Sequence, residues 1–218
     1  MRKLIAMFSV ISLLIVFSCG SDSTGPSGNT DYLPMAVGNQ WNYSLSGYFT
    51  EAGTDTVIIS GSCVSKVLEV TTHQEGFQLY AIQDSSTTTL TFPDTTLTNI
   101  DTLYAHKADT EWRRYDDTTS TDYEIFMKLP VSLGDGWIPN ADEPTIMRTV
   151  LSVSETVTVP AGTYTDCANL RDSDSQEPDF YFDHYFSRGT GVVRFLISET
   201  DSTETVYMAY DLTSSIIN

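Results

Sequence analysis

The chain has 218 residues, with 29 acidic against 11 basic side chains and a formal net charge of −18. Such a surface repels nucleic acid and anionic headgroups, which excludes both as electrostatic partners of the folded part. Twelve Tyr, ten Phe and three Trp accompany abundant Ser and Thr, a composition suited to half-exposed strands rather than helices.

Met1-Arg2-Lys3, the apolar run from Leu4 to Phe17 and then Ser18-Cys19-Gly20 have the basic, hydrophobic and small-residue order of an export signal. The run falls short of the ~20 apolar residues of a membrane span. Val16-Phe17-Ser18-Cys19 resembles a bacterial lipobox. That resemblance implies removal of residues 1–18 and acylation of Cys19, which would hold the protein on the lipid bilayer of the cell envelope, the outer membrane being the expected one. Acyl chains bind at ~0.8 kcal/mol per buried methylene. Residues 19–30 carry no large apolar side chain and read as a flexible tether spanning roughly 18 Å. Residues 31–218 then form a single β-rich domain, large enough for its own core.

Leu33, Pro34, Gly38 and Trp41 return at the same spacing as Leu129, Pro130, Gly134 and Trp137. Apolar residues also match at Met35/Val131 and Val37/Leu133, and an Asx follows each glycine. Each copy is expected to close a turn and place a tryptophan. Trp41 runs on into Asn42-Tyr43, whereas Trp137 meets Ile138-Pro139, where proline blocks an interior ladder bond. The first copy should therefore start the sheet, and the second should divide its two halves.

Period-two alternation dominates the chain from Trp41 onward. Trp41, Tyr43 and Leu45 share one face of a strand that Gly47 is expected to end. Residues 55–70 form a long β-branched stretch whose Gly61 suggests a bulge or bend, and His73-Gln74-Glu75-Gly76 turns it. Short strands are predicted at 88–92, 99–106 and 111–115, with Tyr123, Ile125, Met127 and Leu129 alternating beyond them. Met147, Leu151, Val153, Val157 and Val159 define one face of a further long strand, with Arg148, Ser152, Ser154 and Thr156 on the other. Pro160-Ala161-Gly162 turns it, Pro presetting φ and Gly adding freedom. Phe180, Phe182, His184 and Phe186 then share a face, and Arg188-Gly189-Thr190-Gly191 turns into the last strands. The fold class is mainly β with little helix: an antiparallel meander of about a dozen strands curled into a half-barrel or open barrel.

Leu33-Pro34 through Tyr43, Val159-Pro160-Ala161-Gly162-Thr163-Tyr164 with Asp166-Cys167, and Gly189-Thr190-Gly191-Val192-Val193 occur in that order. In this the chain resembles a group of uncharacterised bacterial lipoproteins common in Bacteroidetes. The resemblance implies a curved antiparallel sheet like that of the lipoprotein-localisation factors, which cradle acyl chains. It implies no agreed activity, and fold does not fix function.

The chemistry is sparse. Nucleophile-elbow, phosphate-loop, dinucleotide and His-Glu-x-x-His patterns are absent, and His73, His106 and His184 stand too far apart in sequence for metal spacing. No metal or cofactor is expected. Asp172-Ser173-Asp174-Ser175-Gln176-Glu177 lacks the glycine and the twelfth-position Glu of a calcium loop and reads as a solvated acidic turn. Asp183 and His184 are strand neighbours facing opposite ways, so they cannot act together. Once Cys19 is acylated, Cys63 and Cys167 remain, either as a disulfide or as two buried thiols. The expected function is a non-catalytic domain that binds a small hydrophobic ligand, a glycan or an envelope protein, with Phe180, Phe182, His184 and Phe186 as its candidate face. The alternatives are a periplasmic carrier for acyl chains or lipoproteins, and a hydrolase with dispersed carboxylates.

Overall fold

The computed structural model describes residues 31–51, 55–92, 94–200 and 204–218; the leader, Cys19 and the tether lie outside them. Twelve strands form one antiparallel sheet: β1 (Gln40–Glu51), β2 (Val57–Thr72), β3 (Gln78–Thr91), β4 (Asp94–Lys107), β5 (Glu111–Tyr115), β6 (Glu124–Lys128), β7 (Gly136–Trp137), β8 (Ile146–Val159), β9 (Gly162–Asp174), β10 (Phe180–Ser187), β11 (Gly191–Thr200) and β12 (Glu204–Ile216). Their order is β6-β5-β4-β3-β2-β1-β12-β11-β10-β9-β8-β7. This is a meander in two halves joined where β1 pairs with β12. The second Leu-Pro copy connects β6 to β7, the two outer edges, and so separates the halves as its sequence requires.

The ladder does not close into a barrel, but its edges meet. Ile125 N of β6 donates to Pro139 O at 2.8 Å, just beyond β7. The Trp137 indole Nε1 donates to Ile125 O, also at 2.8 Å. The interior is filled by the protein's own side chains: Trp41, Tyr43, Phe186, Phe195 and Tyr210 are all fully buried. The concave face of the curled sheet is thus a packed core.

The two Leu-Pro copies share one backbone frame. Gly38 N donates to Val67 O and Gly134 N to Val150 O, both at 2.9 Å. Val67 N returns to Asn39 O, and Val150 N to Asp135 O, again both at 2.9 Å. Gly38 and Gly134 adopt φ of +89° and +84°, a region that side chains disfavour and glycine enters freely. Each frame sets its tryptophan on the inner face, Trp41 opposite Ser65 and Trp137 opposite Arg148. Val37 and Leu133 lie on the turns' exposed side.

Several strand details differ from the sequence expectation. β1 continues through Gly47 to Glu51. Gly61 is not bulged, since the register shift in β2 falls between Val67 and Glu69. Instead a Cβ on Gly61 would sit 2.0 Å from Thr87 O, so close approach of β3 demands the glycine. The separate strands expected at 88–92 and 99–106 belong to the long β3 and β4. Cys63 and Cys167 are free, separately buried thiols on β2 and β9, which corrects the disulfide alternative.

Trp41→Ala and Trp137→Ala are each expected to lower the unfolding free energy by about 3–5 kcal/mol, the range for large buried aromatics. Urea denaturation checks this; losses under about 1 kcal/mol would remove the tryptophans from the core's support.

Candidate functional site

Across β7, β8, β9 and β10 one row of residues shares the inner face: Trp137, Arg148, Asp172 and Phe182 are paired in turn. Alternation alone assigns Arg148 to the outer, polar face of its strand. The assignment fails because β8 carries register shifts between Val150 and Ser152, Ser152 and Glu155, and Glu155 and Val157. Even positions face inward before these bulges and odd ones after them. Met147 and Leu151 are accordingly exposed, while Val157 and Val159 are buried.

Arg148 is 1% exposed, and it meets partners on both sides of the seam. Nε donates to Asp172 Oδ1 at 2.6 Å, and Nη2 donates to Asp172 Oδ2 and to Glu124 Oε1. Nη1 donates to the β6 carbonyls of Phe126, at 2.7 Å, and Ile125, at 3.4 Å. Five N–H groups therefore find five acceptors. The second oxygen of Glu124 pairs with Arg114 Nη2 at 2.6 Å. The fully buried His184 ring places Nε2 3.5 Å from Asp172 Oδ2, at the limit of hydrogen bonding.

Asp172 begins the hexapeptide read as a solvated turn, yet it is buried in β9. Burial alone would raise its pKa; the charge and hydrogen bonds of Arg148 overcome this and hold it well below the usual carboxylate range. Glu124 is likewise raised by burial, and the charges of Arg114 and Arg148 reverse the shift. Burial pushes His184 below the usual histidine range, against the pull of Asp172. The result is two ionised carboxylates, two guanidinium groups and a neutral imidazole.

A pocket of about 180 Å³ opens above this cluster. Phe180, Phe182 and Ile146 give its apolar wall, with Arg114, Glu124, Arg148 and Asp172 at its floor. Phe180 and Phe182 meet edge to face, centroids 4.6 Å apart. The four-residue aromatic face is therefore divided: Phe180 and Phe182 reach the pocket, while His184 and Phe186 pack beneath it against Phe126. Phe126 faces inward where β6 shifts register against β5, a break that alternation along residues 123–129 cannot reveal.

The other half of the sheet carries a counterpart. Trp41 opposes Ser65, and Ser65 opposes Asp84, as Trp137 opposes Arg148 and Arg148 opposes Asp172. Ser65 Oγ donates to Asp84 Oδ1, and Asp84 Oδ2 is buried with no hydrogen-bond partner. Burial pushes the Asp84 pKa up to about 8; the Ser65 bond opposes this, Asp101 adds to it and Arg114 opposes it more weakly.

No protein-family model and no curated protein matches the chain. It is similar to a solved Bacteroides fragilis structure described as an exported protein with a YmcC-like fold, at 16% identity and TM-score 0.48, over 84% of this chain and 98% of that one. A Parabacteroides distasonis structure described as a lipoprotein matches at 17% identity and TM-score 0.45, over 85% and 98%. At these scores the likeness assigns neither family nor function.

Arg148→Ala is expected to cost about 3–5 kcal/mol, because it leaves buried Asp172 without a guanidinium partner and Glu124 with Arg114 alone; a denaturation midpoint within error of the parent would show the cluster to be dispensable. The two aspartates act oppositely with pH. Asp172, with its lowered pKa, contributes stability that is lost as the solution is acidified below the ordinary carboxylate range. Asp84 is protonated in the folded state, so its contribution is complete below about pH 4 and lost as pH rises toward about 8. Asp84→Asn should therefore be more stable than the parent at pH 8, with the advantage gone at pH 4. Parallel melting curves across that range would refute the assignment.

Proposed function

We propose that the protein is a lipid-anchored envelope lipoprotein of the Bacteroidetes type, whose β-domain binds a small, largely apolar ligand in the pocket bounded by Phe180 and Phe182 and performs no chemistry on it. The observation that carries this reading is the saturated ion cluster beneath the aromatic wall. A glycoside-hydrolysing pair needs one carboxyl held protonated as general acid. Glu124 and Asp172 are instead both held ionised, and Arg148 has no N–H left to polarise a substrate. His184 is neutral and buried, with its Nε2 turned toward Asp172 rather than toward a nucleophile. The pocket offers shape and apolar contact over a rigid polar floor, which suits binding.

The packed concave face argues against the acyl-carrier alternative, since Trp41, Phe186, Phe195 and Tyr210 already occupy the space a carried chain would fill. The anchor rests on Val16-Phe17-Ser18-Cys19 and the tether behind it.

Two experiments test the reading. Cys19→Ala is expected to move the full-length protein from the membrane to the soluble fraction; retention in salt-washed membranes would defeat the lipoprotein assignment. For the pocket, ligand-observed NMR with a library of small aromatic and aliphatic compounds should find binders to the parent that Phe182→Ala weakens at least tenfold. A screen with no binders, or binders indifferent to Phe182→Ala, would sink the ligand-binding reading.

A further inference from the structure

The edges of the sheet are treated unequally. Those of β6 and β7 are bridged to one another. β4 is paired with β3 from Asp94 to Ala105, but with β5 only at Tyr104–Lys107. Among the described residues, no backbone pairs with the outer side of β4 over 94–103. A bare edge is a template for another strand, and proteins commonly blunt it with lysine, proline or a bulge. Residues 94–103 contain no lysine and no proline, and the β3–β4 register runs without a shift. Ile100 and Leu97 stand 65% and 43% exposed along it.

The surface beside this edge is unusual for a chain of net charge −18. The outward positions are 96, 98, 100 and 102 on β4, and 85, 87, 89 and 91 on β3. On β2 they are 58, 60, 62 and 64. All are Ser, Thr, Ile or Val. Two copies of so acidic a protein repel one another over most approaches, and the outward positions named here add no charge to that penalty.

We propose that the free stretch of β4 pairs antiparallel with β4 of a second copy of this chain, in a two-fold register centred on Thr98. Same-face pairing about a two-fold axis joins residues of equal parity, and the edge's two charges choose among the available centres. Centring on Leu97 sets Asp94 against Ile100, and centring on Asn99 sets Asp101 against Leu97. Centring on Thr98 sets Asp101 against Thr95 and Asp94 against Thr102, so each carboxylate faces a hydroxyl and no acid faces another. Thr96 then meets Ile100, a β-branched pair of the kind that stabilises cross-strand contacts. A single strand edge buries less than a permanent interface needs, so the dimer is a reversible one.

The test uses the mature chain with Cys19→Ser. Sedimentation equilibrium should show a monomer–dimer equilibrium within the micromolar to millimolar range, and Ile100→Lys with Leu97→Lys should abolish it while leaving the melting temperature unchanged. Thr98→Cys should form a disulfide-linked dimer on mild oxidation, and Asp94→Cys should not. A sample monomeric up to millimolar concentration would overturn the proposal. So would dimers indifferent to the lysines, or cross-linking at residue 94 instead of 98. If the lysine variant fails to fold, the cysteine pair decides alone.

Discussion

The guanidinium of Arg148 is the contact on which the meeting of the sheet's two outer edges depends. It belongs to β8, beside the β7 edge, and its donors reach Glu124 and the carbonyls of Ile125 and Phe126 on β6, the opposite edge. A twelve-strand meander has to curl, and its two outer strands here are only five and two residues long. Ladder bonds between strands so short would specify a weak register. One fully satisfied arginine specifies which residues meet instead. A buried ion cluster of this kind need not add net stability, because desolvation offsets much of its Coulomb gain. What it enforces is geometry, since any other apposition of the edges would strand buried charges.

The internal repeat sharpens this point. Both halves open with the same turn, the same left-handed glycine and the same inward tryptophan, followed across the sheet by two polar residues in line. In the second half those residues are Arg148 and Asp172, and the pair is ionised. In the first half they are Ser65 and Asp84, and a hydroxyl cannot offset a buried negative charge, so Asp84 keeps its proton. The frame is common and the charge state differs, because only the second copy lies at a seam with partners to reach.

Much of the architecture was legible from period-two alternation and turn chemistry: an all-β meander, the hairpin at Pro160-Ala161, and the contrasting positions of the two Leu-Pro copies. The candidate site was not. Alternation is a reliable guide only while register holds, and β8 shifts three times within ten residues of Arg148. Those bulges turn an apparently exterior arginine into a fully buried charge. Asp172 was hidden differently, by acidic neighbours that made it look solvated. Arg148, which pairs it with the β6 edge, and Glu124, which shares that arginine, are distant in sequence, and nothing in their spacing announces a cluster. Gly61 shows the same limit: a glycine in a strand signals some special demand, but only the neighbouring strand shows that the demand is room for Thr87.

The pocket and the start of the domain lie at opposite ends of the strands. Asp31 is held by Lys107, the last residue of β4, and its carbonyl accepts from Gly189 N in the turn after β10. The pocket residues Glu124, Ile146 and Phe180 stand at the first positions of β6, β8 and β10, which all run toward the Asp31 end. Asp31, the first described residue, sits on the face that Lys107 and Arg188 help to form, and the Phe180–Phe182 wall opens at the far one. The free part of β4 begins at that same far end. The two surfaces argued above to receive another molecule thus lie toward the end of the strands away from Asp31, while a further cavity lined by Asp31, Tyr32, Lys107 and Arg188 opens at the Asp31 end.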